Sequence, residues 1–163
     1  MSALKGYSFT QIRLHWVIAA LIVFQLIFGE DMGGAWDAFE DGAVPVMTNW
    51  VWAHILVGIS VLVLVVWRVM LRVSRGVPDA PHSDSVLITK AAEWGHLALY
   101  AVMFLVPVTG LVGWYGGVEQ VVELHGWAKP VVIILVAGHT AAALYHQFWL
   151  KDGLLLRMKR PLD

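Results

Sequence analysis

The chain has 163 residues, of which 59% are hydrophobic and only 14% charged, with a net charge of −1 and a mean hydropathy of +0.70. A water-soluble domain of this size carries far more charge, so the composition is that of a membrane protein. There are no cysteines, which excludes disulfides, thiolate metal sites, iron–sulfur clusters and covalent C-x-x-C-H attachment.

Four apolar stretches, each long enough to cross a bilayer, use up the chain and leave no room for a separate soluble domain. The reading is one all-α membrane domain over 1–163, a bundle of four transmembrane helices. The first span is predicted over about 12–28, after a polar lead in which Ser8 or Thr10 is the candidate N-cap. Its apolar run holds Arg13, His15 and Gln25 without a small-residue cleavage site, so it reads as a span and not a cleavable signal peptide. Residues Gly29 to Met47 contain Gly33, Gly34, Gly42 and Pro45 and are predicted to be a loop. The second span, about 50–71, ends at Arg68 and Arg72. A second loop, Arg75 to Lys90, has room for a short surface helix. The third span, about 91–114, carries Pro107 and Gly110 and should kink. After Gly116-Gly117 the fourth span is predicted over about 127–150, followed by a basic tail.

Orientation follows from the basic residues. With four spans both termini share a side. That side holds Lys5, Arg13, Arg68, Arg72, Arg75, Lys90, Lys151, Arg157, Lys159 and Arg160, ten of eleven; only Lys129 falls on the other. Acidic residues divide as five (Asp79, Asp84, Glu93, Asp152, Asp163) against seven (Glu30, Asp31, Asp37, Glu40, Asp41, Glu119, Glu123). Both termini are therefore expected in the cytoplasm of a bacterial inner membrane. The nine Trp residues form two interfacial belts on this reading: Trp16, Trp67, Trp94 and Trp149 inside, Trp36, Trp50, Trp52, Trp114 and Trp127 outside.

Ionisable residues within spans are costly and mark function. His15 lies about a turn into span one from the inner surface and His54 about a turn into span two from the outer. His125 sits at the outer end of span four. His139 lies fourteen residues on, roughly 21 Å along a helix and within about 40° of the same face. Depth matching pairs His54 with His125 outside and His15 with His139 inside. Two such pairs suit two non-covalent b-type haems, each with two imidazoles on its iron and no open position for oxygen, an arrangement for electron transfer. A His139/His146 alternative fails, because seven residues give only about 10.5 Å, too little to stack two upright porphyrins on one face.

His96 and His146 remain at the inner interface. Together with Glu93, one turn before His96, they suit a site that binds quinone carbonyls and passes protons. Arg13, Arg68 and Arg72 are candidates to neutralise haem propionates, besides marking topology. One membrane histidine alone is most often an interhelical hydrogen bond; the matched depths of several favour the haem reading. His82 reads as a solvated loop residue, and Gly58, Gly95, Gly110, Gly113 and Gly138 as sites of close helix packing.

The motifs RLHW (13–16), HILVG (54–58), GHLALY (95–100) with PVTG (107–110), GHTAAALYH (138–146) and KDGLLLRM (151–158) together resemble the bacterial cytochrome b561 family over nearly the whole chain. Within it the likeness is to the superoxide oxidase type. That resemblance implies a four-helix di-haem cytochrome taking electrons from superoxide at the periplasmic face and reducing ubiquinone inside. By motif it implies His15 and His139 on the inner haem, His54 and His125 on the outer, and His96 and His146 at the quinone. The chain departs from the family in a short connection, about a dozen residues, between spans three and four. Pro130 also lies five residues after His125, so that histidine is offered from a first turn or from a kinked helix. The acidic outer face is a third departure: it repels the superoxide anion and attracts a basic protein. The runner-up function is therefore a membrane electron-transfer or anchor subunit exchanging electrons between the quinone pool and a periplasmic protein. A proton-coupled transporter is disfavoured, as no inverted repeat or broken-helix pair is visible. Lipid is the surrounding partner; no nucleic-acid partner is expected.

Overall fold

The computed structural model describes residues 6–78 and 85–161. The expectations for Lys5, Asp79, His82, Asp84 and Asp163 lie outside the described residues. Helix α1 spans Phe9–Phe28, α2 Asp31–Glu40, α3 Asn49–Arg75, α4 Val86–Gly116 and α5 Glu119–Tyr145. A π-helical turn follows at His146–Leu150 and a 3₁₀ turn at Leu154–Met158. Four of these helical segments are long and apolar enough to cross a membrane, with α5 and its π turn forming the fourth.

Each boundary has a local cause. Ser8 and Gln11 form a reciprocal capping box that starts α1. Thr48 caps α3 through the Val51 N–H, and its hydroxyl donates to Asp31 Oδ2, tying the start of α3 to the start of α2. Gly76, at φ +83°, ends α3 with Arg72 and Arg75 in the last turn, where cations suit the helix dipole. Ser85 caps α4.

Three expectations change here. Residues 29–47 are not all loop. The run Met32, Ala35, Trp36 and Phe39 repeats at i, i+3, i+4 and i+7; α2 buries Ala35 in a cluster with Val51 and Ile55 and buries Trp36 beside Trp114, overriding the helix-breaking cost of Gly33 and Gly34. The stretch from Val86 to Lys90 is not a separate surface helix but the first turns of α4. The fourth span begins at Glu119, not 127, because Gly117 (φ +63°) turns the chain and Val118 bonds straight back to the Gly113 carbonyl. The α4–α5 connection is thus two residues, not a dozen. Pro130 lies inside α5, so the first-turn alternative for it does not hold.

Helix α1 packs on α3, α3 on α4, and α4 on α5, with α2 laid against α3. One core cluster joins Ile18 of α1 to Val61 and Val65 of α3, with Tyr100 and Met103 of α4 against it. The second is the α2 cluster, at the opposite end of the bundle. Described residues from the first and last parts of the chain meet at one end: Trp16 Nε1 donates to the Met158 carbonyl at 2.7 Å, and Gln11 Nε2 to the Gly76 carbonyl. That is the terminal end; α2 marks the far end. Nine of the ten described Lys and Arg residues belong to the terminal end, and Lys129 to the far end.

Large apolar side chains such as Leu56, Met70, Ile134 and Trp149 face outward, as lipid-facing positions should. Trp94 and Trp127 are exposed at opposite ends, in keeping with the belts. Trp36 is not a belt residue. It is 8% exposed and sits beside Trp114, ring centres 6.3 Å apart, and Trp114 packs against the α2 cluster.

The glycines divide. A Cβ on Gly113 would meet Val122 Cγ2 at 2.6 Å and its backbone nitrogen at 3.1 Å, so this glycine sets the α4–α5 approach. Gly95 and Gly138 have nothing of the described chain within 4 Å of such a Cβ, so they are not packing glycines. Gly113→Ala should therefore lower the thermal midpoint in detergent or nanodiscs, costing about 1–3 kcal/mol. Gly138→Ala should leave the midpoint unchanged or raise it.

Candidate functional site

Six histidines are carried by the spans and the π turn, and their rings sort by end. At the far end His54 of α3 and His125 of α5 lie with ring centres 6.1 Å apart, their planes at 80°. At the terminal end His15 of α1 and His139 of α5 also lie 6.1 Å apart, at 65°. Two imidazoles bonded at about 2 Å to opposite sides of one metal hold their ring centres about 6 Å apart. The structure thus brings together both depth-matched pairs at a separation that could seat an iron between each. His96 of α4 is different: its ring lies 5.3 Å from that of His139, edge to face, closer than that arrangement needs.

The orientation of His125 is fixed by a backbone carbonyl of α4 next to Pro107. Pro107 has no N–H for the Met103 carbonyl, and one residue earlier the Val106 carbonyl accepts both the Thr109 hydroxyl at 2.8 Å and His125 Nδ1 at 2.9 Å. A carbonyl can only accept, so Nδ1 carries the proton. Nε2 of the neutral ring is left with its lone pair, the tautomer a metal ligand needs. Gly110 makes room: a Cβ there would stand 2.9 Å from His125 Cε1.

Around His54 and His125 lies a mostly apolar cavity of about 340 Å³, roofed by Met32 and Trp36 of α2 and by Trp114. This is within the usual range for a cofactor pocket. Gln25 enters it from α1 and donates to the His54 carbonyl at 2.9 Å. Its Oε1 and His54 Nδ1 are buried without a hydrogen-bond partner among the described residues. Buried polar atoms without partners are costly, and they concentrate where a ligand or ordered water completes the network. Gly29 and Gly58 give clearance here, with virtual Cβ atoms 3.1 Å from His54 Nδ1 and 3.2 Å from Gln25 Nε2. The donor set is imidazole in an apolar slot, which fits a non-covalently held haem. Among the described residues no group of three or more His, Asp or Glu converges as a bare metal ion would require.

The three arginines do different things. Arg68 is half-buried; its Nε donates to the Tyr100 hydroxyl at 3.1 Å and a terminal nitrogen to the Gln11 carbonyl at 2.8 Å. It stands within electrostatic reach of His15, His96 and His139. Arg72 lies 5.7 Å from the Tyr100 ring centre and reaches His96. Arg13 is exposed and stacks over Phe9 at 4.1 Å. Tyr7, beside this group, has its phenol pushed up by burial, against the opposing pull of Arg72 and Arg68. Glu93 is exposed on the first turns of α4. His146, in the π turn, is buried and bound to Asp152; among the described residues its ring neighbour is Tyr145, not His96.

A model of the prokaryotic cytochrome b561 family matches residues 6–161. The chain belongs to that family. It is 38% identical to cytochrome b562 of Cereibacter sphaeroides, over 99% of each chain. It is 30% identical to cytochrome b561 homolog 2 of Escherichia coli, over 94% of this chain and 91% of the other. It is also 24% identical to the probable superoxide oxidase CybB of Yersinia pestis, over 94% and 96%. A b561-family cytochrome is a membrane electron-transfer protein that binds haem b, and four spans agree with a multi-pass protein of a prokaryotic inner membrane.

Sequence reasoning passed over several residues of the far-end site. Gln25 was available as a lone amide in an apolar span. The α2 roof was available in its i, i+3, i+4 pattern, hidden by two glycines. The Val106 carbonyl has no sequence signal at all. Arg68→Met, which strips two hydrogen bonds from half-buried partners, should cost about 1–3 kcal/mol in a thermal melt. Arg13→Met, at an exposed site, should change the midpoint little.

Proposed function

We propose that this b561-family cytochrome is a di-haem electron carrier. It oxidises superoxide at the periplasmic far end and reduces ubiquinone at the cytoplasmic terminal end. The orientation rests on the placement of nine of the ten described basic residues at the terminal end.

The observation that carries the reading is the repeated 6.1 Å separation of the two histidine pairs. His15 with His139 would hold one haem and His54 with His125 the other. Haem b, when bound, would supply one-electron carriage. The chain does the rest. The Val106 carbonyl keeps the Nε2 lone pair of His125 available, Gly29 and Gly110 clear the slot, and α2 keeps water out of its far-end mouth. At the terminal end Arg68, with Arg72 behind it, supplies positive charge for propionates; Arg13, stacked on Phe9, adds charge at the surface. His96, Glu93 and His146 form the quinone and proton site, with His96 also next to His139.

A second reading draws on the far end itself. Glu30, Asp31, Asp37, Glu40, Asp41, Glu119 and Glu123 are all exposed there against Lys129. A basic periplasmic protein would be steered to this surface and the superoxide anion repelled. In this reading the cytochrome exchanges electrons between the quinone pool and that protein.

Oxidised protein with ubiquinone, given a steady superoxide source, should accumulate quinol; haems that stay oxidised while no quinol accumulates would refute the superoxide donor. The sign of the salt effect separates the donors. Raising ionic strength should speed haem reduction by superoxide, because repulsion is screened, and slow reduction by a basic protein. His139→Ala should take the haem-to-protein ratio from two to one, read by pyridine haemochrome; an unchanged ratio would break the pairing.

A further inference from the structure

The terminal end carries a pair of side chains, a buried histidine on a half-buried carboxylate, that the histidine pairing does not use. His146 is 7% exposed, and its Nδ1 lies 2.5 Å from Asp152 Oδ2. The other carboxylate oxygen, Oδ1, accepts the Leu154 N–H at 2.9 Å, so the carboxylate is held by both oxygens. The backbone is bent to make this pair. His146–Leu150 is π-helical. On either side of Asp152 stand Lys151 at φ +53°, the one non-glycine residue with positive φ among those described, and Gly153 at φ +76°. Together these fold the chain back so that a residue six positions on reaches the ring. A π turn and a left-handed non-glycine residue are both unfavourable unless something over-determines them. The platform is braced from outside as well, by the bond from Trp16 to the Met158 carbonyl.

The chemistry of the pair follows from its partners. Burial raises the Asp152 carboxyl, but the His146 hydrogen bond, the Leu154 N–H and the Arg157 charge outweigh it and hold it below the usual carboxylate range. It is a carboxylate at neutral pH and can only accept, so Nδ1 of His146 carries a proton whether the ring is neutral or charged. Proton exchange is then confined to Nε2.

We propose that Asp152 is a positioning residue that locks His146 in its Nδ1–H tautomer, making Nε2 the one nitrogen of that ring that hands a proton to the electron acceptor at the terminal end. The inference rests on the quinone reading of that end. In the step it serves, a quinone takes two electrons, arriving singly from the donor, and two protons. One proton leaves Nε2 of the imidazolium for a quinone oxygen, forming the O–H bond and leaving the neutral Nδ1–H ring, which is recharged from the cytoplasm. The other proton comes from the aqueous phase.

Asp152→Asn separates this role from simple capping. Its amide oxygen can still accept the Leu154 N–H, but its NH₂ then faces Nδ1 and favours the Nε2–H tautomer. With haem-loaded protein reduced chemically and mixed with a short-chain ubiquinone, Asp152→Asn should leave haem content and spectrum unchanged and slow reoxidation at least about tenfold. Asp152→Glu should recover part of the rate. Reoxidation of Asp152→Asn within twofold of wild type would overturn the proposal. The ¹⁵N shifts of histidine-labelled protein give an independent reading. Wild type should show His146 protonated at Nδ1 and Asp152→Asn at Nε2; a wild-type His146 with its neutral proton on Nε2 refutes the lock. If quinone fails to reoxidise even wild type, the quinone reading falls, and the ¹⁵N shifts alone decide the tautomer.

Discussion

A polar group inside an apolar span has no water to turn to, so it must find its partner within the bundle. The placement of nearly every such group in this chain obeys that constraint. Four histidines meet ring to ring across helices, two at each end. Gln25 spends its amide N–H on the backbone of a neighbouring helix. Arg68 spreads its guanidinium between a phenol of α4 and a carbonyl of α1. The interior is accordingly less a close-packed oil drop than a set of directed contacts. Helix α5 buries no side chain fully, although it carries a histidine of each pair.

The same constraint explains the division of labour among helices. α1 and α3 supply the apolar core through Ile18, Val61 and Val65. α4 and α5 supply positions: an accepting carbonyl at Val106, a glycine at 110, and rings at 125 and 139. Where α2 crosses the far end it adds Trp36 and Met32 as a cover whose outer side is acidic. The core helices are not excluded from the sites, since His15 of α1 and His54 of α3 each complete a pair with a ring of α5.

Much of this was legible in the sequence. The four spans follow from hydropathy alone, and the histidine pairs follow from depth once basic residues are assigned to one end. The fourteen-residue spacing of His125 and His139 does place them at opposite ends of one helix. What was not legible has physical reasons. Gly33 and Gly34 mask α2 because local propensity opposes a helix that tertiary burial of Trp36 makes worthwhile. The start of α5 was hidden because Glu119 and Glu123 read as loop, although acidic residues are favourable in and near a first turn. His146 read as free for pairing with His96. Its carboxylate partner lies beyond a π turn and a left-handed lysine, and no periodicity announces either.

The link from Gly117 to Val118 has an effect on everything threaded through it. Two residues leave no slack, so α4 and α5 cannot slide past each other by even one helical step without breaking Val118 from Gly113 and driving Val122 into the glycine gap. The His125 ring and the carbonyl that aims it belong to these two legs. Their alignment is thus held by the bend itself, through the Val118 to Gly113 bond and the close fit of Val122 on Gly113.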